Sequence, residues 1–308
     1  MPRLTRRQAL AATAALPVLP AMSRAQTEGG GGDPAPMRGE AHRSFDLGDR
    51  RVTTLLAGSR AGENPQETFG IGVDAETFQA VSEANFIPAD RFQTFFTPVL
   101  VRDGERTVLF DTGFGDGALE AAMEGAGVAP GDVTHVVITH MHGDHIGGLL
   151  LDGAPRFENA EHVTGRVEHQ HWTANPNEAV TANVLPIADR FTLVEDGAEI
   201  APGITAMAAF GHSPGHMTYR VDGAGGSMLV AADLANHYVW SLAHPDWEVR
   251  FDMDKAQAAE SRRRVLDMLA TERLAMLGYH MPFPAAGFVE RREDGFRWVP
   301  VSYQFTAA

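Results

Sequence analysis

Cysteine is absent from all 308 residues. That absence excludes disulfides, a thiolate nucleophile and sulfur ligands to a metal, so any metal chemistry in this chain has to use nitrogen and oxygen. Positive charge is scarce as well: 25 Lys and Arg stand against 40 Asp and Glu, a formal net charge of -15. Such a surface repels nucleic acid and anionic membranes, which leaves a small molecule as the expected partner, with a homodimer left open. Long hydrophobic runs are missing too, since no stretch approaches the roughly 20 apolar residues that cross a bilayer. What is present in ordinary amount is apolar residues, at 44%, enough to bury a sizeable core.

The N-terminal 25 residues read as a signal peptide and not as part of the fold. A basic start (Arg3, Arg6, Arg7) precedes the apolar run Ala9 to Met22, and Ser23 and Ala25 supply the small residues of a cleavage site. The arginine pair in Thr5-Arg6-Arg7-Gln8-Ala9-Leu10 is similar to a twin-arginine export signal, which implies a periplasmic or secreted protein. Residues 26–43, Gly/Pro-rich at their start, are expected to be a flexible linker, with one folded domain over 44–308.

Within that domain, apolar runs predict strands at Arg51–Leu56, Thr97–Arg102, Thr107–Phe110, His135–Ile138, Ile204–Phe210, Met217–Val221 and Met228–Ala231. Asp103-Gly104 and Asp294-Gly295 are hairpin turn signals, the second between Phe288–Arg291 and Phe296–Val299. Helical patterns fall at Leu119–Gly125 and Asp254–Leu269. Interleaved strands and helices with no internal repeat predict one α/β domain.

Directly after the strand His135–Ile138 comes Thr139-His140-Met141-His142-Gly143-Asp144-His145. Three histidines and an aspartate in six residues cannot all be satisfied core residues, because each needs a polar partner and the local chain supplies too few. A divalent cation meets the demand, since neutral imidazole and carboxylate are its ligands when no thiolate is available. The alternating spacing of His140 and His142 lets an extended loop aim both the same way, and Asp144 and His145, in the next turn, can face a second ion.

This loop, an HxHxDH pattern after a buried strand, resembles the hallmark of the metallo-β-lactamase superfamily, and three later segments match in order. Gly211-His212-Ser213-Pro214-Gly215-His216 is similar to the family's GHTPGH loop, Met228 to Asp233 is a strand ending in an acid, and Leu277-Gly278-Tyr279-His280 closes another strand. The resemblance covers roughly residues 50 to 300. It implies a four-layer αβ/βα sandwich and two divalent metal ions, zinc foremost, although the same ligand types accept manganese, cobalt or iron. By this resemblance His140, His142 and His216 hold one ion, Asp144, His145 and His280 hold the other, and Asp233 bridges them, with His212 as a supporting residue. The same resemblance puts Asp111 behind the ligand loop and gives Asp144 and Asp233 the catalytic part, around a metal-bridging hydroxide that attacks an electrophilic centre.

The fold hosts many chemistries, so the choice has to come from the site. Class B β-lactamases commonly place a cysteine near the second metal, and redox flavodiiron relatives use HxExD; neither pattern is here. Glyoxalase II relatives carry a C-terminal helical extension, whereas the 28 residues after His280 read as a hairpin. Organophosphate hydrolases of the methyl parathion hydrolase type and N-acyl-homoserine lactonase-like enzymes resemble the chain best, which implies a hydrolase of neutral esters, lactones or phosphotriesters. A glyoxalase II-like thioesterase or β-lactamase is the alternative within the fold, and a non-catalytic metal or ligand binder the alternative outside enzymes. Candidate pocket residues are Phe95, Phe96, Trp172, His237, Tyr238, Trp240 and Phe283, which flank segments reaching the metals. Such an apolar pocket is expected to reward an acyl or aryl group and to offer a charged tripeptide no cation. The second histidine pair, His169 and His171, is read as part of a helix at the pocket entrance.

Overall fold

The computed structural model describes residues 40–292 and 295–306. The expected signal peptide, most of the expected linker and the turn at Asp294 lie outside them. The first strand, β1 (His42–Asp46), already starts at His42, two residues inside the expected linker. It pairs with β2 (Arg51–Leu55), after which β3 (Gly58–Glu63) and β4 (Arg91–Phe96) form a two-stranded hairpin of their own. Between them lie α1 (Gln66–Phe69) and α2 (Ala75–Ala84).

Two seven-stranded sheets make the body of the fold. The first has the order β1-β2-β5-β6-β7-β10-β11, with β5 (Val99–Arg102), β6 (Thr107–Phe110), β7 (His135–Ile138), β10 (Glu161–Gly165) and β11 (Phe191–Val194). A small pair, β8 (Leu150–Leu151) and β9 (Ala154–Pro155), sits in the loop before β10. The second sheet runs in sequence order through β12 (Glu199–Ala201), β13 (Ile204–Ala208), β14 (Met217–Gly223), β15 (Gly226–Ala232), β16 (Ala275–Gly278), β17 (Ala286–Arg292) and β18 (Gly295–Pro300).

Strand alternation explains why the layers stack. In β5, Val99 and Val101 face the space between the sheets while Leu100 faces away; in β6, Val108 and Phe110 oppose Leu109 in the same manner; in β15, Met228 and Val230 oppose Leu229 and Ala231. The inward set packs sheet on sheet. The outward set of the first sheet packs on α3 (Ala118–Gly125) through Leu119 and Met123, on α5 (Arg166–Ala174) through Trp172 and on α6 (Glu178–Asn183) through Val180. The outward set of the second sheet packs on α7 (Lys255–Glu272) through Val265, Leu266 and Leu269. Asp254 caps α7 by accepting from the backbone N–H of Gln257. Helix, sheet, sheet and helix therefore stack as the expected four layers.

This arrangement brings strand ends together at one rim. There, β7 runs into residues 139–142 and the one-turn α4 (Gly143–Ile146), β13 leads to 209–216, β15 into Asp233 and β16 into Tyr279 and His280.

Candidate metal centre

At that rim His140 Nε2, His142 Nδ1 and His212 Nε2 converge: 3.1 Å from His140 to His142, 3.2 Å from His212 to His140 and 3.0 Å from His212 to His142. Beside them Asp144 Oδ2 lies 3.6 Å from His145 Nε2 and 3.5 Å from His280 Nε2. Asp233 stands between the groups, Oδ1 at 3.2 Å from His145 Nε2, Oδ2 at 3.0 Å from His280 Nε2 and 3.3 Å from His212 Nε2. Six of the seven residues proposed as ligands from the sequence therefore meet, and His212 completes the cluster.

His216 does not. It stands just before β14 and points away: its Nδ1–H donates to Ala209 O at 3.1 Å, and its Nε2 accepts the backbone N–H of Asp233 at 3.2 Å. With both ring nitrogens committed to backbone it has no lone pair for an ion, so the roles assigned to the two histidines of the loop are exchanged. His212 is the ligand candidate and His216 the support that seats the backbone of Asp233.

Partners outside the cluster set which lone pairs face inward. His145 Nδ1–H donates to Asp111 Oδ2 at 2.8 Å, His280 Nδ1–H to Phe95 O at 2.8 Å and His212 Nδ1–H to Asp252 Oδ1 at 3.0 Å. Thr139 donates its hydroxyl to Asp111 Oδ2, also at 2.9 Å, and its backbone N–H to Asp111 Oδ1 at 2.9 Å. Asp111, at a φ of 64°, thus ties the start of the ligand loop to His145, the supporting position expected for it.

In each of these three rings the remaining Nε2 lone pair then faces carboxylate oxygen, a repulsive arrangement unless a positive charge lies between. Among the described residues, buried His145 Nε2 and Asp233 Oδ1 indeed have no hydrogen-bond partner. The electrostatics make the same demand. Burial would lower the pKa of His145, yet the charges of Asp111, Asp233 and Asp144 raise it well above the usual value. Burial is likewise outweighed at His212, which Asp233 and Asp252 raise to about 9, and at His280, raised chiefly by Asp233. Burial, reinforced by the neighbouring imidazoles, holds His140 and His142 well below their usual value. A cation supplies the charge that those protons would supply and leaves the nitrogens free, so the residues fit a divalent metal.

One residue that matters here was overlooked in the sequence. Glu168, fully buried on α5, accepts four hydrogen bonds. Oε1 takes the N–H of Met141 at 2.7 Å, the indole N–H of Trp172 at 2.7 Å and the hydroxyl of Ser213 at 2.5 Å, while Oε2 takes the N–H of Gly215 at 2.8 Å. Burial raises its pKa although all four donors oppose this. Met141 lies between two ligands, and Ser213 follows a third. Glu168 therefore staples the two ligand loops together. Its only signal in the sequence is an acid beside the histidine pair His169 and His171. His169 Nε2 donates to Ala188 O, and the His171 ring packs on Trp172.

The cluster floors a cavity of about 490 Å³ whose walls include Phe69, Phe92, Phe96, Phe114 and Phe251. Of the seven expected pocket residues only Phe96 lines it. Phe95, His237, Tyr238 and Trp240 line a neighbouring cavity of about 400 Å³ that shares Ala61 and Phe92 with the first. Phe283 lines a separate one with His42 and Arg43, because its strand connection turns away after His280. Trp172 is 8% exposed and packs behind the site, edge-on to His142, held there by Glu168. The cavity also contains a cation that was not expected: Arg60, on the hairpin, lies with its guanidinium 3.9 Å from the centre of the Phe114 ring.

Comparison with known proteins gives three findings. A family model described as Metallo-beta-lactamase superfamily matches residues 97–274. In sequence, the chain is 32% identical over 153 residues to metallo-beta-lactamase domain-containing protein 1 of Xenopus laevis, covering 48% of this chain and 58% of that protein. It is 26% identical over 153 residues to an N-acyl homoserine lactonase of Bacillus thuringiensis, covering 49% and 57%. The chain thus spans just over half the length of the curated relatives it matches. In structure it is similar to AidC, a dizinc quorum-quenching lactonase in complex with a product, with a TM-score of 0.78 at 24% identity over 85% of this chain and 98% of the other. It is also similar to the hydrolase AbOPH of the beta lactamase superfamily, with a TM-score of 0.79 at 21% identity over 86% and 99%. At these identities the structural likeness speaks for the fold.

Proposed function

The chain belongs to the metallo-β-lactamase superfamily, and from that premise we propose that it is a binuclear metal-dependent hydrolase of neutral esters, lactones or phosphotriesters carrying an apolar group. The observation that carries this reading is the pair of ligand groups sharing Asp233 on the floor of an aromatic-walled cavity. His140, His142 and His212 would hold one ion, and Asp144, His145 and His280 the other, with Asp233 common to both.

Held by these residues, two divalent ions, zinc foremost, would supply an acidified water as nucleophile and stabilisation of developing negative charge. The chain's own residues do the rest. Asp111, Asp252 and the carbonyl of Phe95 hold three ligand imidazoles in the tautomer that presents Nε2 inward, and Asn236 Nδ2, donating to Asp233 Oδ2 at 2.9 Å, holds the shared carboxylate in place. Tyr279, whose hydroxyl donates to Asp144 O at 2.5 Å, anchors the backbone of the second group. Phe69, Phe92 and Phe96 exclude water from the wall and reward burial of an acyl or aryl substituent by roughly 25 cal/mol per Å². The lactonases among the curated relatives and structural neighbours support the lactone end of this range. The test is a side-by-side measurement of kcat/KM on metal-loaded protein with lactones, aryl esters, phosphotriesters, a carbapenem and lactoylglutathione. The neutral esters, lactones or phosphotriesters should lead, and a lead for either of the last two would overturn the substrate class.

Export is part of the proposal, supported by Arg6, Arg7 and the apolar run that follows. Replacing both arginines by lysine should leave the precursor in the cytoplasm. Normal processing of that variant would count against the twin-arginine route.

A further inference from the structure

Arg262, on α7, is 1% exposed, and a buried guanidinium is costly unless its N–H groups are met. Here all three nitrogens are engaged. Nε donates to Leu234 O at 2.9 Å, Nη1 to Pro245 O at 2.8 Å and Nη2 to Asp252 Oδ2 at 2.7 Å. Two of these contacts lead to the candidate ligands. Asp252 uses its other oxygen, Oδ1, to accept the Nδ1–H of His212, and Leu234 directly follows Asp233. His212 and Asp233 come from different strand connections, after β13 and after β15, so their separation is a tertiary matter.

We propose that Arg262 and Asp252 form a positioning device that sets His212 against the shared carboxylate Asp233 and thereby tunes the ion site of His140, His142 and His212. The planar fork of the guanidinium is suited to this: it grips the carboxylate behind one ligand and the carbonyl beside the other in one fixed geometry. The Asp252 carboxylate in turn orients the His212 ring and makes its inward nitrogen a stronger donor to a cation. A device that merely fastened α7 would have no need of a link to His212. The inference rests on the proposed two-ion reading, and the two fail differently. If the unaltered protein binds no divalent ion, that reading fails; if it binds two and the variants below bind both as tightly, only this inference fails.

The variants are Asp252→Asn, close in shape but neutral, and Arg262→Lys, which keeps the charge and loses the fork. Each is measured by chelator competition for zinc, by the visible spectrum of the cobalt-loaded protein and by the melting temperature of the metal-free protein. Asp252→Asn should weaken one of the two ions by about 10–100-fold, leave the other within a few-fold, change the cobalt spectrum and lower the metal-free melting temperature, because its amide N–H meets Arg262 or His212 where a carboxylate oxygen accepted. Arg262→Lys should shift the same ion in the same direction by less, which keeps the test available if Asp252→Asn does not fold. Unchanged affinities and spectrum in a folded variant would overturn the proposal. So would an equal loss of both ions together with a lowered melting temperature of the metal-free protein, since that pattern assigns the pair to folding alone.

Discussion

The floor and the hairpin wall of the same cavity are built on different physics. On the floor, the groups behind the ligands are held by hydrogen bonds: His145 to Asp111, His280 to Phe95 O, His212 to Asp252 and both ligand loops to Glu168. The wall formed by β3 and β4 is a two-stranded ribbon in which Gly58 to Glu63 is largely exposed and Arg60 rests over an aromatic face. A committed floor resists change, because each substitution strands a buried partner. A ribbon packed through aromatic side chains tolerates it. On the proposed function, chemistry belongs to the floor and selectivity to the wall.

The sharpest way to break it is to exchange the two histidines of one loop. His212→Ala should remove one of two bound ions and lower kcat/KM by about 10³-fold, equivalent to about 4 kcal/mol. His216→Ala should keep two ions and instead lower stability by about 1–3 kcal/mol, because Asp233 N–H and Ala209 O lose their partner. Metal analysis and denaturant unfolding check both. Two ions in His212→Ala together with one in His216→Ala would restore the assignment made from sequence.

Next in size, Glu168→Ala leaves Met141 N–H, Gly215 N–H and the Ser213 hydroxyl without their acceptor, and the Trp172 indole with Ser213 Oγ alone. It should cost about 3–5 kcal/mol of stability, read from the shift of the urea midpoint. Trp172→Ala should follow it in stability, with KM little changed. A raised KM at unchanged stability would put Trp172 back in the pocket.

The smallest effect belongs to the wall. Phe92 borders both cavities and packs edge-on to Phe69 at 5.0 Å between ring centres. Phe92→Ala should raise KM for substrates with long apolar groups by about 5–10-fold with kcat nearly unchanged, since the ring binds ground and transition states alike. A fall in kcat at constant KM would show that floor and wall are not separate.

Much of this was legible in the chain because the information was local. Short continuous apolar runs mark Val99 to Val101, Val108 to Phe110 and Met228 to Ala231 as strands buried on both faces, and their layers follow. His140, His142, Asp144 and His145 sit within six residues at a strand end, so their convergence needs no long-range knowledge. The absence of cysteine by itself restricts any metal site to nitrogen and oxygen. The tertiary structure alone decided between His212 and His216, four residues apart in one loop and both buried. Their roles turn on partners far away in sequence, Asp252 for one and the backbone of Asp233 for the other. It also decided the pocket. The ribbon pairs Arg60 with Thr94 and Gly62 with Phe92 across an intervening helix pair, and Trp172 is drawn behind the site by Glu168. A side chain's neighbours in space depend on how the whole chain closes, and apolar composition near a motif carries no record of which way each ring points.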